Sequence, residues 1–190
     1  MSRVRGHYRG GRWVRAHDRR SRGSAAGGSV LALAVLAGGG FYLRGTDPEP
    51  SHQGEETHAT VVHVIDGDTI VAHAADGTDL GRIRVIGIDA PEVDPPKCYA
   101  DAATAAATDL LDRQDVTLTT DPTQSERDVY GRLLAYIDLD DGTDFGLHML
   151  SEGHARLLDS DVPYQRRDTY EDAQTDAQEG NAGLWGACTP

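Results

Sequence analysis

One arginine and two carboxylates stand close together in and just after an apolar run of this sequence. Residues 83–88 form the run and include Arg84, while Asp89 and Glu92 follow it. Such a run predicts a core strand, and Pro91 cannot continue the hydrogen-bond ladder of a sheet. Asp89 and Glu92 are therefore expected at a fixed, exposed strand exit. Two carboxylates in that place predict a metal ligand and a general base.

Two other stretches add charged residues at strand ends. Asp66 and Gly67 form a turn signal between two β-branched runs, which leaves Asp68 at the mouth of a predicted hairpin. Arg132 follows a glycine and precedes a further apolar run.

The spacing within the first stretch sets a geometric condition. Arg84 and Asp89 are five residues apart, so they would point to opposite faces of a regular strand. A bulge or bend at Gly87 is the predicted solution.

These motifs resemble the staphylococcal nuclease (thermonuclease) family. The resemblance lies in five blocks that follow in order over about residues 58–186: VIDGDTI at 64–70, RVIGIDAPE at 84–92, CYA at 98–100, DVYGRLLAY at 128–136 and GLWG at 183–186. A single Asp-Gly-Asp is a weak signal, whereas several blocks in order with the terminal Leu-Trp are a strong one.

The order of the elements predicts a β-barrel with helices, of the α+β class. Strands are expected near 58–65, 68–74, 81–88, 115–120 and 131–138, helices over about 99–112, 144–152 and 164–179, and a short extended piece at 155–158. The resemblance implies a five-stranded OB-fold barrel with about three helices.

A calcium site is predicted at two of the strand exits. Asp68 and Asp89 supply hard oxygen ligands, and with the Ala90 carbonyl and waters they could hold Ca²⁺. The resemblance implies Ca²⁺ at the same positions, including the backbone oxygen of Ala90. Asp66 is expected to brace the turn or the surroundings of the metal.

Three residues are candidates for catalysis. Glu92 is the candidate general base that takes a proton from an attacking water, a role that the resemblance also implies. Arg84 and Arg132 can each bind phosphate oxygens in a fork and stabilise the charge of a five-coordinate transition state. Tyr130, beside Arg132, is a candidate for stacking on a base. Taken singly, each residue also fits a structural role, such as an ion pair of Arg132 with Asp128.

The resemblance implies hydrolysis of single-stranded DNA and RNA, and of duplex DNA at frayed regions, by a monomeric domain that leaves 3′-phosphates. A catalytically inactive OB-fold module that binds nucleic acid or protein is the alternative from another class, and a structural envelope protein is a third. The sequence departs from the family pattern at Ala90, where threonine is frequent, and at Val129, Asp159 and Asp161, where the family carries nucleotide contacts. These departures bear on affinity and base preference.

The N-terminal part of the chain predicts export. Residues 1–24 are basic and are expected to be disordered, and residues 25–43 carry no charge and have about the minimum length that spans a bilayer. Eight arginines precede this run, which favours a cytoplasmic N-terminus. We therefore expect a transmembrane anchor or signal segment at 25–43, an acidic linker at 44–57 and a nuclease-like domain at 58–187. The domain would lie outside the membrane, either anchored or secreted.

Charge is distributed unevenly along the chain. The net charge is −13, and residues 1–44 hold nine basic and one acidic residue, or +8, which leaves −13 − 8 = −21 for the remainder. A nucleic-acid binder is ordinarily basic, so DNA capture must depend on local arginines and a metal. A halophilic archaeon is the favoured source, because salt screens such a surface, and an ordinary acidic secreted protein is the alternative.

The chain has two cysteines, Cys98 and Cys188. In an exported domain a disulfide between them is predicted, and two free thiols are the alternative.

Overall fold

The computed structural model describes residues 54–188 and four three-residue strands near the N-terminus. Those strands are β1 (Ser2–Val4), β2 (His7–Arg9), β3 (Arg12–Val14) and β4 (His17–Arg19), and β1 pairs with β4 while β2 pairs with β3. They occupy part of the segment expected to be disordered, and that expectation stays a prediction. Residues 25–43 and most of the predicted linker lie outside the described residues. No helix in the described part of the chain is long and apolar enough to span a bilayer.

Five strands form a closed barrel that contains both antiparallel and parallel strand pairs. They are β5 (Glu56–Val64), β6 (Thr69–Ala74), β7 (Asp79–Val85), β9 (Asp115–Thr119) and β10 (Leu133–Leu139). The order around the barrel is β10-β7-β6-β5-β9, and β10 pairs in parallel with β7 and antiparallel with β9. This is the topology of an OB-fold, so the predicted five-stranded barrel is confirmed.

The helices pack against the barrel and share one apolar core with it. The helices are α1 (Ala100–Leu111), α2 (Phe145–Ser151), α3 (Arg167–Glu179) and the one-turn α4 (Leu184–Ala187). The fully buried face of α1 consists of Ala103, Ala107 and Leu111, which are four residues apart and so share one side of the helix. Inside the barrel Ile70 and Ile83 have no exposed surface.

The strand that carries Arg84 ends earlier than the sequence predicted. β7 stops at Val85, Gly87 adopts a φ of 83°, and the chain resumes as the two-residue strand β8 (Ile88–Asp89). β8 pairs with β11 (Arg156–Leu157) rather than with the barrel. A Cβ on Gly87 would lie 2.7 Å from the ring of Tyr164, so the bend also needs glycine for space. The bend predicted at Gly87 is therefore present.

Candidate active site

The turn between β5 and β6 carries the first two carboxylates. The backbone N–H groups of Ile65 and Asp66 donate to the Thr69 carbonyl, and the Asp68 N–H donates to the Asp66 carboxylate at 3.0 Å. Asp66 thus braces the turn, as the sequence predicted. A Cβ on Gly67 would lie only 2.6 Å from the Cβ of Ala90, so the turn packs directly on the segment after β8.

Asp68 is a buried carboxylate, and both of its oxygens have polar partners. One oxygen lies 3.2 Å from Nε of Arg84 and accepts from the Thr69 hydroxyl, and the other accepts from the Ala90 N–H at 2.7 Å. Burial raises the pKa of Asp68 to about 6, against the opposing effect of the Arg84 charge. The Ala90 backbone is therefore fixed by a carboxylate from the hairpin of β5 and β6.

Arg84 joins the two predicted ligands. Its guanidinium donates from Nη1 to the carbonyls of Val85 and Ile88, at 3.0 and 2.6 Å. Nη2 lies 3.2 Å from the Asp89 carboxylate, and Nε lies 3.2 Å from Asp68. Every nitrogen of the group therefore lies within 3.2 Å of a protein oxygen, and the side chain is only 10% exposed. The bend after β7 is what turns Asp89 back towards Arg84.

The oxygen donors around Arg84 are of the type that a hard divalent cation prefers. Asp66, Asp68 and Asp89 carry three negative charges against the single positive charge of Arg84, which leaves 3 − 1 = 2 negative charges. All the donors are oxygens, and Asp89 is half exposed, so its carboxylate is open to solvent. Two carboxylates and the Ala90 carbonyl make a small set, and no group of three or more His, Cys, Asp or Glu side chains within the described residues is arranged to hold a metal.

Glu92 lies on the exposed loop that follows. Its backbone carbonyl accepts from the Lys97 N–H at 2.9 Å, which closes the loop, and its side chain makes no hydrogen bond or ion pair with the described part of the chain. The structure therefore places Glu92 two residues beyond Ala90 with its carboxylate in solvent, and shows no contact between it and Arg84.

Arg132 is positioned by Asp128. The Asp128 carboxylate accepts from Nε of Arg132 at 2.6 Å and also from the Arg132 N–H at 2.9 Å. Burial acts to raise the pKa of Asp128, but these hydrogen bonds outweigh it and hold the pKa below its ordinary value. The terminal nitrogens of Arg132 have no hydrogen bond to the described residues. Tyr130 is 81% exposed, with the Arg132 guanidinium 5.5 Å from its ring centroid.

Comparisons with known proteins agree with the motifs. The family model described as staphylococcal nuclease homologue matches residues 82–187. Thermonuclease of Staphylococcus intermedius is 34% identical over 162 residues, which cover 82% of this chain and 94% of that protein. The chain belongs to the staphylococcal nuclease family. A protein of Escherichia coli described as an uncharacterised endonuclease is 31% identical over 135 residues, which cover 71% of this chain and 81% of its own length.

A disulfide fixes the end of this nuclease-family domain beside the site. Cys98, just before α1, is bonded to Cys188, just after α4, so the predicted pairing is formed in the structure. The bond joins segments 90 residues apart in the sequence. It ties the loop that carries Glu92 to the C-terminal segment.

Sequence reasoning missed residues that complete the site. Thr69 donates to Asp68, and Arg156 lies opposite Asp89 in the β8–β11 pair. The position of Thr69 next to Asp68 was a usable signal. The pairing of Arg156 had none, because a two-residue strand has no periodicity to detect.

Proposed function

We propose that the chain is a Ca²⁺-dependent nuclease that hydrolyses phosphodiester bonds in single-stranded DNA and RNA, and in duplex DNA where it frays. The observation that supports this most is the fixing of Arg84 between Asp68 and Asp89, beside the backbone of Ala90. Membership of the family, with a thermonuclease and an endonuclease among the relatives, supports the same reaction class.

The reaction needs charge neutralisation, an activated water and a stabilised transition state. In this proposal Asp68, Asp89 and the Ala90 carbonyl would hold Ca²⁺, which would neutralise charge on the phosphate. Glu92 takes a proton from the attacking water, whose oxygen then bonds to phosphorus. The bond from phosphorus to the 5′-oxygen of the leaving nucleotide breaks, that oxygen takes a proton from solvent, and a 3′-phosphate remains.

The two arginines have different freedom to contact the phosphate. Arg132 keeps its terminal nitrogens available, so it can present a fork to two phosphate oxygens. The terminal nitrogens of Arg84 donate to protein oxygens and its Nε forms an ion pair with Asp68, so its main contribution is to orient both carboxylates and add positive charge at the site. Tyr130, exposed beside Arg132, is placed to stack on a base.

The deciding experiment measures hydrolysis of single-stranded DNA by the full chain with Ca²⁺ or with a chelator. We expect cleavage by the wild type only with Ca²⁺, and a loss of about 10²–10⁴-fold in Glu92→Gln. Glu56→Gln, which changes an exposed glutamate at the start of β5, is the matched control and should retain activity.

Failure of the proposal has a clear signature. A folded wild type that binds Ca²⁺ and single-stranded DNA but does not cleave it would identify the inactive binding module instead. Activity that persists in the chelator would exclude the metal from the mechanism.

We further propose that the domain acts outside the cytoplasmic membrane, either anchored through residues 25–43 or secreted. The disulfide supports this, because such bonds persist in oxidising compartments. In cells that express the full chain, added protease should digest the domain without lysis. Protection until the cells are lysed would refute export.

A further inference from the structure

Few cations of this acidic domain are free to bind an anion. Residues 54–188 contain nine basic side chains, and five of them lie within 4.0 Å of a carboxylate: Arg84, Arg113, Arg132, Arg166 and Arg167. The other four have no carboxylate partner among the described residues: Arg82, Lys97, Arg127 and Arg156. An anionic ligand of the domain would have to find one of these unpaired cations.

Two of the four unpaired cations line one cavity beside the candidate active site. The cavity has a volume of about 280 Å³ and is bounded by residues 89–91 on one side and by Lys97, Arg156 and the disulfide on the other. Its only carboxylate is that of Asp89, which already contacts Arg84. The cavity therefore carries two positive charges directly next to the carboxylate and carbonyl proposed to hold the metal.

Independent parts of the fold hold these two cations. Lys97 precedes the bonded Cys98, and its N–H donates to the Glu92 carbonyl. Arg156 lies opposite Asp89 in the β8–β11 pair, and its guanidinium is 4.6 Å from the ring centroid of Trp185 on α4. The disulfide and the strand pair thus fix the backbone on both walls, so the site is built before any ligand binds.

We propose that Lys97 and Arg156 form a phosphate subsite that binds the nucleic-acid strand next to the bond that is cleaved. The inference rests on the proposed nuclease function, and it adds a second point of attachment for the strand. A single-stranded polynucleotide is the ligand class, because it presents phosphates on both sides of the scissile one. Two cations recognise the charge of a phosphate rather than the identity of a base, so binding at the subsite does not depend on the nucleotide sequence.

The test compares Lys97→Gln, Arg156→Gln and the double variant with Arg113→Gln, which removes one charge from an exposed side chain away from the cavity. Binding of a fluorescent single-stranded oligonucleotide is measured by anisotropy over a range of salt, in the Glu92→Gln background so that the DNA is not consumed. We expect the double variant to bind more weakly and to lower the slope of log K against log salt by about 1.4, or about 0.7 for each phosphate contact.

Kinetics supply the second readout. The kinetics use protein that keeps Glu92. In both single variants we expect the ratio of kcat/KM for an oligonucleotide to kcat/KM for a substrate with a single phosphodiester to fall, because KM for the oligonucleotide rises. An unchanged salt slope, or an equal loss in Arg113→Gln, would overturn the subsite. If the wild type cleaves neither substrate, the nuclease proposal fails, while the binding slopes still decide whether the cavity takes phosphate. Thermal unfolding checks that each variant is folded.

Discussion

At the scale of single residues, Arg84 and Arg132 look equivalent in sequence but differ in structure. Arg84 donates three hydrogen bonds, forms a further ion pair with Asp68 and is nearly buried, whereas Arg132 has one carboxylate partner and a 26% exposed side chain. Hydrogen bonds to charged groups contribute about 1.5–3 kcal/mol each. Arg84 makes three such bonds in the interior, whereas the Arg132 side chain makes one, with the partly buried Asp128. Arg84 therefore contributes more to the stability of the fold than Arg132 does.

Replacing each arginine by lysine separates the two roles. Arg84→Lys keeps the charge but loses the fork, so we expect the free energy of unfolding to fall by about 1.5–3 kcal/mol or more. Arg132→Lys should lower it by less, because only one side-chain hydrogen bond, to Asp128, is disturbed. Arg132→Lys should reduce kcat by about 10²–10³-fold, as for loss of one transition-state donor. Arg84→Lys should reduce kcat as well, because Asp68 and Asp89 lose the guanidinium that orients them. Urea unfolding beside initial rates measures this, and equal stability losses would contradict the assignment.

At the scale of elements, the sequence predicted the strands and helices that show an apolar pattern and missed the features that depend on tertiary contacts. All five barrel strands and the three longer helices were found, because each has an apolar face or run. The predicted extended piece at 155–158 contains β11, but its pairing with β8 was missed, and so was the one-turn α4, which is too short to show a pattern. The start of α3 was placed at 164 but lies at Arg167, because residues before it are held by the barrel: Arg166 forms ion pairs with Asp138 and Asp144.

Asp121 is the carboxylate that ties three of these elements together. It is 3% exposed and follows the end of β9. Its oxygens accept from the Tyr136 hydroxyl on β10 at 2.5 Å, from the Gln165 N–H before α3 at 2.7 Å, and from Thr123 in its own loop. Burial acts to raise its pKa, but these hydrogen bonds prevail and the pKa lies below its ordinary value.

Asp121→Asn should destabilise the domain in a pH-dependent way. An amide cannot accept at both positions, so at least one buried donor loses its partner, at about 1–3 kcal/mol. Because the folded pKa is depressed, the wild-type advantage is present above the unfolded pKa of about 3.9 and is lost as the pH falls through the folded pKa. Urea unfolding at pH values from about 7 to below about 3.9 should show the stability difference between the two proteins shrink as the pH falls. Asp140→Asn, at an exposed turn, is the control, and a difference independent of pH would refute the role of the charge.

At the scale of the whole molecule, the acidity of the chain lies almost entirely on the surface. Residues 45–190 carry −21, from nine basic and 30 acidic residues. Among the described residues Asp68 and Asp121 are buried, and the side chain of Asp144, which pairs with Arg166, is only 17% exposed. The remaining carboxylates repel one another through solvent, and they also repel a nucleic-acid strand. Salt therefore acts on the protein in two opposite directions, because screening favours the compact fold while it weakens contacts with phosphate.

Stability should consequently rise with salt while DNA binding by each folded molecule falls. Between about 0.1 M and 1 M salt the Debye length shrinks from about 10 to about 3 Å, so most of the self-repulsion is removed in that range. We expect Tm to increase over this interval and then level off, with each kcal/mol gained at Tm worth about 2–8 °C. Calorimetry over this range of sodium chloride makes the measurement. A Tm that is flat in salt would show that surface repulsion does not limit stability, and would remove the physical basis for the predicted halophilic origin.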